Sequence, residues 1–223
     1  MERNTSGRLN DDFRQLTNCD MTIERAKEIM GEKFIGPDEL HKCAPSLLFD
    51  IPADIPSIPY DEEKLIESKE HYYLILGVSK FTDGKDVNCR NLKLIFGKDP
   101  DVSEPCFYNQ DWYDQEEFID NPMVTDWYLI RKSVFEESRA VMPTELMKTM
   151  SLPTAVRCTY SFFVIWLSKG EKLWYHDFVW CSDVDHNGDR IYVGKYHDVD
   201  GVNKNGFSIH RHLAIRSFYG AID

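Results

Sequence analysis

Oxygen ligands crowd one short stretch near the carboxyl terminus. Asp183, Asp185, Asn187 and Asp189, with Gly188 among them, run straight into the alternating segment Arg190-Ile191-Tyr192-Val193-Gly194. Alternate oxygen side chains followed by a glycine match the first half of a calcium loop, in which carboxylates converge on a hard cation. A full EF-hand needs a bidentate Glu at the twelfth position, which here is Gly194. Asp198 and Asp200 supply the missing oxygens if the next turn folds against the first. The same residues also describe a two-residue type I′ hairpin turn at Asn187-Gly188 with solvated acids around it. Both readings stay open at this point, with calcium as the possible cofactor.

Other groups able to do chemistry lie close by. Five of the seven histidines, His176, His186, His197, His210 and His212, fall late in the chain. The His-x-His spacing of His210 and His212 places two imidazoles on one face of a strand. Cys181, with His176 five positions earlier, can be drawn as a thiol and its base, but a buried small hydrophobe explains that cysteine better. A second constellation is aromatic and acidic. Trp112 and Tyr113 sit beside Asp111 and Asp114, and Trp127 and Tyr128 follow. Flat rings beside carboxylates suit a groove for sugars, cations or partner proteins. Alternation sends Trp127 and Leu129 one way, and Tyr128 and Ile130 the other. No phosphate-binding glycine loop, serine elbow or H-E-x-x-H sequence is present.

Composition narrows the classes further. The 223 residues, 42% hydrophobic and 13% aromatic, suffice for one core with at most a small appendage. A net charge of -12 disfavours a nucleic-acid partner. The longest apolar cluster, Tyr160 to Leu167, is too short to span a bilayer. Met1 to Asp20 is polar, without the pattern of a signal peptide, and reads as a solvated tail. Six scattered cysteines without C-x-x-C pairs then read as reduced thiols in a cytoplasmic protein.

These groups must be positioned by an α+β framework of short antiparallel sheets and a few helices. Residues 21–69 read as a helical, Pro-rich segment packed on an α+β body of residues 70–223. Thr22 caps a helix that Gly31 stops, Phe34 to Gly36 form a turn, and Pro37 opens a second helical piece. Pro45, Pro52, Pro56 and Pro59 make residues 44–60 an extended connector, and 61–69 a short charged helix. Strand 71–78 pairs with strand 92–96 through a turn at Thr82 to Lys85. Trp127 to Ile130 is another strand. Pro143 opens a short helix, and Thr154 begins the longest one, ended by Gly170. Strands at 178–181 and 190–196 and a last strand at 213–218 complete the pattern.

Two resemblances attach to these residues. Ala26 to Gly31 with Phe34 to Gly36, Trp127 to Ile130, Pro153 to Ala155 and the Ser182 to Gly201 finish resemble a group of bacterial proteins without an assigned activity. The carboxyl-terminal third is similar to C-type-lectin-like modules of the Fibrobacter paralogous and formylglycine-generating-enzyme kinds. Leu152-Pro153-Thr154, Val179 to Ser182, Arg190 to Gly194 and Ala214 to Arg216 follow that order, with Cys181 where those modules have Ser. The likeness implies a binding or interaction module that presents its late loops to a protein or small-molecule ligand. The competing expectation is an enzyme using the Asp-rich turns and late histidines around a divalent cation.

Overall fold

The computed structural model describes residues 21–198, 204–211 and 215–223. Helix α1, Ile23–Met30, starts where Thr22 Oγ1 accepts the Arg25 N–H at 3.1 Å, and stops at Gly31, whose positive φ of 55° costs a glycine little. Phe34–Ile35, expected as a turn, is instead a two-residue strand, β1. Both of its side chains are buried, which draws this backbone into a sheet. Pro37 takes the first position of α2, Pro37–His41, as the sequence predicts. The Pro-rich connector runs without regular structure to α3, Glu62–Ser68, which Asp61 caps. Strand β2, Tyr72–Leu76, is buried along its whole length.

The expected pairing of 71–78 with 92–96 is overturned. Residues 92–96 belong to helix α4, Cys89–Phe96, which begins with Asn88 Oδ1 accepting the Asn91 N–H at 2.8 Å. A short apolar run fits strand and helix alike. Here the Asn88 cap and the burial of Cys89, Leu92 and Phe96 at helical spacing decide the matter. The turn at Phe81 to Gly84 does form, but it leads into α4. The antiparallel partner of β2 is β3, Trp127–Arg131, in register from Tyr72 opposite Arg131 to Leu76 opposite Trp127. Strand β1 adds to the other edge of β2 in parallel, so the amino-terminal segment supplies a strand to this first sheet.

After α5, Pro143–Leu146, comes α6, Ala155–Lys169. Thr154 caps it through the Arg157 N–H at 3.2 Å, and Gly170 ends it in the left-handed conformation. The sequence marks one apolar face on α6, yet ten of its first eleven residues are buried. A second sheet covers it, built from β4, Phe178–Val184, β5, Arg190–Gly194, β6, Ser208–Arg211, and β7, Tyr219–Gly220, in the order β6-β5-β4-β7. Strands β4, β5 and β6 are antiparallel neighbours, while β7 runs parallel to β4. Each sheet is therefore mixed, not purely antiparallel. The last strand also falls later than expected. Residues 213 and 214 lie outside the described residues, and Arg216 to Tyr219 form a turn closed by Tyr219 N–H to Arg216 O at 3.1 Å. The fold is thus α+β.

Helix α6 ties the two sheets together. On one side Tyr160 Oη donates to Leu76 O of β2 at 2.7 Å. On the other, Phe162 stacks with Tyr196 and tilts against Phe207. Phe163 stacks on Phe96 of α4 at 4.1 Å and on Phe107 at 4.9 Å. Truncating Phe163 leaves a cavity that none of these neighbours can close without moving. Phe163→Ala should therefore cost about 3–5 kcal/mol, read as a lower urea midpoint with an unchanged slope.

Candidate functional site

The site begins with the way residues 107–118 fasten to the second sheet. Phe107 bridges Phe207, the Tyr108 N–H donates to Phe207 O at 2.9 Å, and the Phe207 N–H donates to Cys106 O at 2.9 Å. Gly206 makes this approach possible, because a Cβ there would lie 2.4 Å from the Tyr108 backbone. Further along, Trp112 Nε1 donates to Ile209 O at 3.0 Å. Lys93 of α4 holds the loop from the other side, donating to Gln110 O at 2.7 Å and Asp114 Oδ1 at 2.6 Å and covering the Tyr113 ring at 4.3 Å. So anchored, the loop carries Glu116, 6% exposed, against the β4–β5 turn.

That turn is a three-residue connection, His186 to Gly188, and not the two-residue type I′ turn expected. The Asp185 N–H donates to Asp189 O, the Gly188 N–H donates to Asp185 O, and Gly188 takes φ +85°. Asp185 Oδ1 accepts the N–H groups of Asn187 at 2.9 Å and Asp189 at 2.8 Å. Arg211 Nη1 lies 3.3 Å from Asp185 Oδ2. Burial raises the pKa of Asp185, but the two N–H donors and Arg211 outweigh it and hold the carboxyl below its usual range. Glu116 Oε1 sits 2.7 Å from His186 Nδ1, and its Oε2 accepts the His186 N–H at 2.9 Å. The Arg211 guanidinium also lies over Trp112 at 5.2 Å. Among the described residues, Glu116, Asp185 and His186 bring one carboxylate or imidazole atom each to within 4.8 Å of one another.

Only part of the expected oxygen set takes part. Asp183 Oδ2 accepts the Ala155 N–H at 2.6 Å and its Oδ1 accepts from Asn121 Nδ2 at 3.3 Å, so it serves the start of α6. Asn187 and Asp189 act through backbone N–H groups. The Asp198 N–H donates to Asn205 Oδ1, and this carboxylate stands outside the cluster. Asp200 and His212 lie outside the described residues. Glu116 was missed because its partner is 70 residues away; only its place in an aromatic, acidic loop hinted at a role.

The aromatic groove does not form as drawn. Trp112 contacts Tyr113 and Phe118 on the loop, whereas Trp127, in the first sheet, meets Phe34 and donates from Nε1 to Pro56 O of the Pro-rich connector. Tyr113 and Trp127 are each 1% exposed. Tyr128 is partly open but lies under Arg157 at 4.3 Å, and Ile130 on its face is buried. Cys181 is buried, and burial first, then its contact with Cys158, raises its thiol pKa well above the usual range, so it is no nucleophile. The five described cysteines are all buried and unpaired, while Cys19 lies outside the described residues.

His210 has a structural part. Its ring stacks on Tyr192 and sits 2.9 Å from Gln110 Nε2, helping to seat the loop. Burial, helped by Lys195, pulls its pKa down to about 4.

No protein-family model, curated protein or solved structure matches the chain. No helix of the described residues is long and apolar enough to cross a membrane.

Because the folded state holds His210 neutral down to about pH 4, an unfolded chain takes up a proton that the folded one refuses below roughly pH 6.5. Stability should therefore fall as pH drops through this window, by up to about 3 kcal/mol from this residue alone. Urea midpoints taken at several pH values should show a shallower loss for His210→Gln than for the parent chain. Equal slopes would show that His210 carries no such burden.

Proposed function

We propose that this protein is a binding module whose ligand face lies where loop 110–118, turn 185–189 and β6 meet, with a divalent cation held by Glu116, Asp185 and His186. The observation that carries the reading is the convergence of those three donors within 4.8 Å. Both carboxylates are buried and held by hydrogen bonds, whereas His186 is 66% exposed and leaves the outer side open to a ligand. One nitrogen and two oxygens suit a borderline cation such as zinc, and fall well short of the six to eight oxygens of a calcium cage. Arg211 and Trp112 stand beside the cluster as an anion-binding fork and a flat apolar surface.

The likeness to C-type-lectin-like modules belongs to the same reading. Leu152-Pro153-Thr154 opens α6, Trp180-Cys181-Ser182 lies in β4 and Arg190 to Gly194 is β5, whereas Ile215 and Arg216, from the last piece of the likeness, are not in a strand. The partner is a protein or small molecule met in the cytoplasm, not a nucleic acid, in keeping with the charge of -12. A cation-dependent enzyme remains the second reading, because three protein ligands with one open side is also the donor count of catalytic zinc sites.

Calorimetric titration with zinc, manganese and calcium chlorides tests the cation. Zinc should bind at one equivalent, and His186→Ala and Glu116→Gln should each weaken it by roughly ten- to a hundredfold. Calcium should bind feebly, because three donors fill only half or less of its usual oxygen shell. Zinc bound as tightly by His186→Ala as by the parent chain would end the proposal.

A further inference from the structure

A recess of about 380 Å³ opens on the side of the molecule where α4 meets the turn at residues 81–85 and the start of the Pro-rich connector. Its walls include Leu48, Phe81, Leu94 and Ile95. Phe81 is buried, but Leu48, Leu94 and Ile95 are 53%, 75% and 44% exposed. Helix α4 is thus apolar on two sides. Cys89, Leu92 and Phe96 face the core, while Leu94 and Ile95 face the recess. Exposed aliphatic side chains gathered at a concavity are a recognition feature, unlike the same residues scattered singly. The polar side chains of Ser46, Thr82, Asp83, Lys85 and Asn91 line the rest of the recess, so apolar and polar walls face one another in a volume at the lower end of the small-ligand range, which begins near 300 Å³.

The charges around it select the occupant. Asp83 is paired with Lys85 at 2.6 Å, and Asp86 with Lys80 at 2.7 Å. Of these four, Asp83 and Lys85 line the recess, and each is paired with the other, so neither offers a ligand an unpaired charge. The whole-chain charge of -12 further opposes an anionic ligand. A second copy of the chain is disfavoured as well. Two chains that each carry a charge of -12 repel one another.

We infer that the recess is a binding site for a small uncharged amphiphile, with an aliphatic or aromatic body against Leu48, Leu94 and Ile95 and a hydrogen-bonding head toward Ser46 and Thr82. This site draws nothing from Glu116, Asp185 or His186, so it stands or falls apart from the cation.

The neutral dye N-phenyl-1-naphthylamine tests it on the full chain by fluorescence. Its emission should rise saturably with one site per chain, and benzyl alcohol should displace it. Leu94→Asp should weaken binding roughly tenfold or more, the loss expected when one leucine contact is replaced by a desolvated charge. The Leu94 side chain is mostly solvated, so the variant should keep the parent's circular dichroism and melting point. Should it not, Leu48→Ser on the opposite wall serves in its place with the same expected loss. The anionic analogue 1-anilinonaphthalene-8-sulfonate should bind more weakly than the neutral dye, and His186→Ala should leave dye binding unchanged. Non-saturable emission, unaltered binding by both wall variants, or tighter binding of the sulfonate would overturn the assignment. So would a dimer in sedimentation velocity that Leu94→Asp abolishes, since the recess would then be a self-contact.

Discussion

A helix without a polar side has to be covered all round, and the need to cover α6 is the constraint on which the rest of this structure depends. Ten of its first eleven residues are buried, so no single sheet can satisfy it. The chain answers with two small sheets, one before and one after the helix in sequence, and with α4 and the loop around Phe107 filling the remaining side. Small sheets of three and four strands gain stability only by packing against something else. Here each gains it from the same helix, and the aromatic rings of Phe162 and Phe163 carry contacts to α4 and to Phe207, which leads into β6. The start of α6 is secured twice, by Thr154 and by the carboxylate of Asp183. Charge at a helix start stabilises it by about 0.3–1 kcal/mol when exposed and more when partly buried.

The helix ends were legible in the sequence for a local reason. Thr22, Gly31, Pro37, Thr154 and Gly170 each act on backbone groups within a few residues, and such chemistry is written in adjacent positions. Strands 72–76, 127–131, 178–184 and 190–194 were legible through their β-branched and aromatic residues. What could not be read was pairing. Which strand lies beside β2 depends on how α4 packs, and Leu92 to Phe96 carries no local mark that separates helix from strand except the Asn88 cap. The parallel strands β1 and β7 are two residues each, too short for any periodicity to register. They form where buried side chains hold the backbone against a longer neighbouring strand.

The candidate site was half legible for the same reason. The oxygen-rich turn stands out in the sequence because its members are neighbours. Glu116 and Arg211, which complete the cluster, come from 70 residues before His186 and 26 residues after Asp185, and only the docked loop brings them in. That docking rests on a backbone approach at Gly206 and on Trp112, Gln110 and Lys93 reaching carbonyls or ring nitrogens. These are tertiary contacts, each worth about 1 kcal/mol net, whose sum fixes a buried carboxylate that would otherwise be costly to desolvate.

The four oxygen residues of one acidic stretch are divided between the start of α6 and the β4–β5 turn. In a regular strand Asp183 and Asp185 would share a face. The register of β4 against β5 shifts between Trp180 and Val184, and β4 ends at Val184, so the two carboxylates part company. Asp183 turns to the start of α6, where the unpaired N–H of Ala155 awaits an acceptor. Asp185 stays with the turn and spends one oxygen on the N–H groups that shape it. Its other oxygen faces Arg211, beside the carboxylate that His186 holds. A regular strand would string Asp183, Asp185, Asn187 and Asp189 along one face at intervals of roughly 7 Å. The irregular one instead brings Asp185 Oδ2 to Arg211 and leaves His186 to meet Glu116 from 70 residues away, so tertiary packing, and not strand alternation, decides which of these groups come together.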